Sequence, residues 1–148
     1  MKKLTLLLLL TLVITSCATK AQKLQADDIT LEYNAMTRGS NRNVVVKQGT
    51  ITTKDVTGAK PDVVTAVTKA EWDELLAAVE KVDLDKIESL KSPTDKRMYD
   101  GALIAHLTVT TKDKTYKSNS FDHGQPPAEI AAVVNKIIAL SDLNKGNR

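Results

Sequence analysis

The fold of this chain is limited most by a change of hydrophobic period at Thr68. Upstream, Ile29, Leu31, Tyr33 and Ala35 alternate with Thr30, Glu32, Asn34 and Met36, the period-two pattern of a strand with one face in a core. Thr37-Arg38-Gly39-Ser40-Asn41 supplies turn chemistry. Val44-Val45-Val46 is a β-branched run, Gln48-Gly49 reads as a tight turn, and Ile51 to Val56 is a threonine-rich return strand. Gly58 to Asp62 breaks the pattern, and Val63 to Val67 can add one more strand. Thr68-Lys69-Ala70-Glu71 then has the spacing of a capping box, and the period becomes helical: Trp72, Leu75, Leu76 and Val79 form one stripe, with Asp73, Glu74, Glu80 and Lys81 facing water. Asp83 is placed to cap a further short turn carrying Leu84, Ile87 and Leu90.

The pattern then returns to two. Lys91 to Gly101 is the longest irregular stretch, after which Leu103, Ala105, Leu107 and Val109 alternate with Ile104, His106, Thr108 and Thr110. Lys112-Asp113 turns the chain into a strand expected over Thr115 to Phe121. Asp122-His123-Gly124-Gln125-Pro126-Pro127 is a turn whose prolines can open a helix, and Ile130, Val133, Val134, Ile137 and Ile138 give that helix its stripe. Ser141 to Arg148 is expected to fray. The predicted fold is α+β: an antiparallel sheet in the order β-β-β(-β)-α-β-β-α, with both main helices packed on one face and an open, Thr- and Lys-rich face opposite. One domain is expected over 28–141, with 142–148 as a disordered tail.

The first residues carry an address. Lys2 and Lys3, the apolar run Leu4 to Ile14 and small residues around Cys17 have the charged, apolar and cleavable parts of an export signal. The run is about half of the roughly 20 residues needed to span a bilayer. Ile14-Thr15-Ser16-Cys17 resembles the lipobox of bacterial lipoproteins. That resemblance implies a signal peptide over 1–16, a diacylglyceryl group on the Cys17 sulfur, and usually acylation of the new amino terminus, palmitate being one such chain. Each buried methylene contributes about 0.8 kcal/mol, so two or three chains would hold the protein stably to membrane lipid. Ala18 stands where aspartate would, in some bacteria, retain a lipoprotein in the inner membrane, which favours the outer membrane of the cell envelope. The same residues also fit an ordinary small-x-small cleavage site, releasing a soluble protein that begins at Thr19. Residues 17–27 read as a flexible tether.

Composition and motifs favour binding over catalysis. The formal charge of +3 includes Lys2 and Lys3, which would leave with the signal, and the aromatics Tyr33, Trp72, Tyr99, Tyr116 and Phe121 are scattered, so no nucleic-acid partner is expected. The single cysteine cannot form an internal disulfide. No Gly-x-Ser-x-Gly, glycine-rich phosphate loop or His-Glu-x-x-His occurs. Asp122 and His123, with His106 and Asp100, are the only set resembling a metal or acid-base site, and they lack a tight ligand spacing, so neither metal nor cofactor is expected. Asp122 is instead expected to accept amides in its own turn. A cryptic enzyme would require Asp122 or His123 for turnover.

What remains are surfaces. Thr37 to Asn43, Arg97 to Gly101 and Phe121 to Pro127 are turns with arginine and aromatic neighbours, and Arg38, Gly39, Arg97, Tyr99, Asp100, Asp122 and His123 are the candidate residues for a protein partner. The strand ending in Thr37-Arg38-Gly39-Ser40, the hairpin after Tyr99-Asp100-Gly101 and the Pro126-Pro127 helix start make the chain distantly similar to emfourin-type inhibitors of thermolysin-like metalloproteases. The similarity implies a non-catalytic binding role. The other reading is a structural accessory of an envelope complex, docked through the open sheet face at Glu32 or Asn34.

Overall fold

The structure, a computed structural model, describes residues 28–145. The expected signal, the lipidation site Cys17, the tether to residue 27 and the last three residues lie outside them. Seven antiparallel strands form one sheet: β1 (Thr30–Thr37), β2 (Ser40–Lys47), β3 (Thr50–Asp55), β4 (Val63–Ala66), β5 (Ile104–Thr110), β6 (Thr115–Lys117) and β7 (Phe121–Asp122). The spatial order is β4-β3-β2-β1-β5-β6, with β7 also pairing β5. Helix α1 (Lys69–Val79) follows β4, and α2 (Ala131–Leu140) follows β7.

The period-two residues decide which face is buried. Leu31, Tyr33 and Ala35 of β1 lie beside Val46, Val44 and Arg42 of β2 and beside Val109, Leu107 and Ala105 of β5. All but Arg42 are buried, and they share one core with Trp72, Leu75, Leu76 and Val79 of α1 and with Val133, Val134 and Ile137 of α2. The other face, with Glu32, Asn34, Asn43, Thr52, His106 and Thr108 at neighbouring positions, stays open; threonine is prominent there as expected, with lysines and amides beside it. Thr68 caps α1 through the expected box, its hydroxyl accepting from the Glu71 amide while the Glu71 carboxylate accepts from the Thr68 amide.

Four local expectations are corrected. The strand expected over Thr115 to Phe121 is two strands separated by a bulge: Lys117 pairs with Thr108 and Phe121 with Ala105, leaving one extra residue on the β6-β7 side. Buried Ser118 fills the gap, its amide donating to the Leu107 carbonyl and its hydroxyl accepting from the Leu107 amide at 3.0 Å. Asp83 does not cap the 3-10 turn Leu84–Ser89; its carboxylate pairs with Lys86 instead. The prolines precede a 3-10 turn, Ala128–Ile130, and α2 begins one turn later. Finally, the chain does not fray at Ser141: Asp142–Lys145 is a short 3-10 turn, Ser141 and Leu143 are buried, and the Asp142 amide reaches the Thr53 hydroxyl. A lone apolar Leu143 among polar neighbours gives no periodic signal, so only the groove waiting for it reveals its burial.

Candidate recognition face at the far end of the sheet

The sheet has two distinct ends. The chain enters β1 at Thr30, and Thr30 pairs with Thr110, so the 111–114 hairpin sits at that near end. The β2-β3 turn at Gln48-Gly49 lies there too, since Lys47 pairs with Thr50, and the far end gathers the candidate turns. The β1-β2 hairpin turns there at Arg38-Gly39, since Thr37 pairs with Ser40. The turn after β3 starts there, the Val56 amide donating to the Asn41 carbonyl. Met36 pairs with Ile104, Ile104 with Asp122, and the His123 amide donates to the Leu103 carbonyl, which brings residues 96–103 and the 123–124 turn to the same place. The three separate turns singled out in the sequence therefore lie at one end of the sheet. Gly39 and Gly124 hold their turns at φ +80° and +78°, where a side chain would be strained.

Asp122 holds the largest of these loops in shape. It is fully buried, and both carboxylate oxygens are saturated by a segment far away in sequence. Oδ2 accepts from the Thr94 hydroxyl at 2.6 Å and the Lys96 amide at 2.8 Å; Oδ1 accepts from the Arg97 amide at 3.0 Å and Arg97 Nη1 at 3.1 Å. Burial alone would raise its pKa, but the hydrogen bonds from Thr94, Arg97 and Lys96 outweigh that and hold it down at about 2. The Arg97 side chain is only 8% exposed, and it also donates to the Thr94 carbonyl at 2.7 Å, to Ser92 at 3.1 Å and through Nε to Ser120 at 3.2 Å. The expected turn of Asp122 onto its own amides is thus corrected: its acceptors are spent on the Lys96–Tyr99 3-10 turn.

That turn ends with Asp100 in the left-handed region at φ 58° and the Gly101 amide donating to the Lys96 carbonyl at 2.8 Å. The Tyr99 ring lies over Gly101, where an added Cβ would come within 2.9 Å of it. The consequence is display. Met98 and Tyr99 are 73% and 71% exposed on a backbone fixed from beneath. The other large apolar side chains that are exposed among the described residues are Met36, Val56 and Val64; the first two belong to this same end, and Val64 lies on the edge strand β4.

The candidate residues therefore divide. Arg38, Gly39, Tyr99 and Asp100 are exposed at the far end. Arg97 and Asp122 point inward and position the loop. His123 is half-buried, its Nδ1 2.8 Å from the Tyr33 hydroxyl. His106 lies on β5 with the opposite facing, on the open face, beside the Ser118 carbonyl. The two histidines are on opposite faces of the sheet, and no group of three or more candidate metal ligands occurs among the described residues. No family model matches the sequence, and no curated protein matches it. The sequence reading missed Met36, Val56, Met98 and Thr94. Arg42 was also missed, though it carried a signal: it is the charged residue at an inward position of the Arg42, Val44, Val46 series.

Proposed function

We propose that this protein is a non-catalytic binding module, held at the cell envelope by lipid on Cys17, that takes a protein partner at the far end of its sheet. The observation that carries the reading is the convergence of exposed Met36, Val56, Met98 and Tyr99 on one end, with Met98 and Tyr99 on a loop clamped by buried Asp122. Apolar anchors that are rigid before binding lose little conformational entropy on contact, and aromatic and thioether side chains give large, adaptable contact area. Asp122 supports binding over catalysis as well: a carboxylate with four donors and a pKa of about 2 is a poor proton acceptor near neutrality.

The topology gives the anchor a use. A tether from Cys17 would join β1 at Thr30, and the eight residues of β1 carry the chain about 25 Å to the far end. The recognition face would point away from the membrane. Inhibition of a thermolysin-like metalloprotease is one concrete form of this role, because the turns that carry the emfourin resemblance are among those that converge here.

Site-resolved photocrosslinking in intact cells tests the reading. A benzophenone amino acid at position 99 should give a discrete protein adduct, one at Asp113 on the near end should not, and Asp122→Asn should weaken the adduct at 99. An adduct at Asn34 with none at 99 would move the role to the open sheet face, that of a structural accessory.

A further inference from the structure

Exposed Val64 lies apart from the far-end group, on β4. This strand ends the sheet, pairing with β3 on one side and with no strand among the described residues on the other. Val63 is half-buried and the next three residues are exposed, Val64 at 65%. Val64 pairs with Thr52 and so faces the open side, whereas Thr65 pairs with Ile51 and shares its inward facing, yet Thr65 is exposed as well. The strand therefore stands clear of the layer that buries Ile51.

Backbone direction decides what this edge can hold. The Val67 amide donates to the Gly49 carbonyl at 3.0 Å, and successive residues of a strand turn their N–H and C=O groups to opposite sides. Thr65 and Val63 therefore spend theirs on β3, while Val64 and Ala66 turn theirs outward, where no hydrogen bond from a described residue reaches them. The opposite edge is guarded. Thr94 to Arg97 lie against β7 through Asp122, and the 3-10 turn Leu84–Ser89 lies beside β6, where Lys114 reaches Asp85 at 3.0 Å. A bare edge is a ready template for another strand, and lysine is a common guard; β4 contains none.

We propose that β4 receives an extended segment of the protein partner as an added strand, uncharged and with an apolar side chain on the Val64 side. The proposal rests on the far end being the recognition face. Four residues a side fall far short of the about 20 per side of a stable interface, so the edge extends a contact made elsewhere. The far end supplies that contact: the β3-β4 connection starts there with Val56 57% exposed, and β4 runs from there toward the near end. Charge defines the segment, since Asp62 at the head of the strand already pairs with Lys54 at 3.4 Å, and Lys69 beyond its end with Asp73. A second copy does not suit the anchor. The two-fold that pairs β4 antiparallel with itself reverses one domain, and one recognition face would then point back toward the membrane.

Photocrosslinking of the full-length chain in intact cells tests the added strand. A benzophenone amino acid at Thr65 should give the same partner adduct as one at position 99, and one at Lys117 on the guarded edge should give none. Val64→Pro removes an outward N–H that β3 does not use, so it should keep the fold and lower the adduct at 65 about tenfold, as expected for one or two lost hydrogen bonds. Val64→Thr, which keeps the N–H, should leave most of it. If Val64→Pro fails to fold, Val64→Lys carries the same expectation through its charge. No adduct at 65, equal adducts at 65 and 117, an adduct of the chain with its own copy, or an unchanged yield in the folded variant would each overturn the added strand. An adduct at 99 that persists in those cases leaves the recognition face standing. Adducts at 65 alone that fall with Val64→Pro keep the strand and remove the face.

Discussion

Asp122 is the residue on which the loop depends. Its four donors come from Thr94, Lys96 and Arg97, so removing its charge leaves a nearly buried guanidinium with only the exposed Asp95 carboxylate, at 3.2 Å, as its ion-pair partner. Breaking a buried pair from one side costs about 3–5 kcal/mol, and Asp122→Asn should lower stability by that order in urea unfolding. The pH dependence has a definite sign. The folded pKa of about 2 lies below the ordinary carboxylate value, so the unfolded chain takes up the proton first as pH falls. The stabilisation is complete above about pH 4 and is lost between there and pH 2. Urea midpoints should fall across that window in the native protein and vary less in Asp122→Asn; parallel profiles would show that other carboxylates dominate. Gly101→Ala should displace the Tyr99 ring, because backbone and ring both crowd the new Cβ, with the Lys96 carbonyl at 3.1 Å. Altered Tyr99 ring shifts in NMR, at a stability cost of about 1 kcal/mol, are the expected outcome.

At the level of elements, the loop from Lys91 to Gly101 is irregular in pattern yet held as firmly as a helix end. Hydrogen exchange should show it: the Lys96 and Arg97 amides, bonded to Asp122, should exchange slowly in the native protein and quickly in Asp122→Asn, a contrast that a mobile loop would not give. The β6-β7 bulge depends on one hydroxyl in the same way. Ser118→Ala leaves the Leu107 amide without its acceptor, and a loss of about 1–3 kcal/mol in thermal or urea unfolding is expected. Strand alternation and the capping box were readable because each is local, involving neighbours two to four residues apart. The bulge was not, because an extra residue shows only against the partner strand, and Ser118 does not interrupt a run that already alternates imperfectly.

On the scale of the molecule, the meander places the start of β1 and the loops proposed for recognition at opposite ends. If Cys17 bears lipid, a spin label at Tyr99 should lie farther from membrane-embedded relaxation agents than one at Asp113, and Cys17→Ala should release the protein from the membrane fraction. Labels at equal depth would mean that the domain lies flat on the surface. The sequence by itself determined most of the elements, the buried face of the main strands and helices and the α+β architecture, since these follow from periodicity, caps and turn residues along the chain. Only the tertiary structure decided that those turns gather at one end of the sheet, and that Arg97 and Asp122 hold the 96–101 loop from beneath while Met98 and Tyr99 are displayed. Contacts between residues 25 to 90 positions apart are fixed by register and packing across the sheet, and nothing local in the chain encodes them.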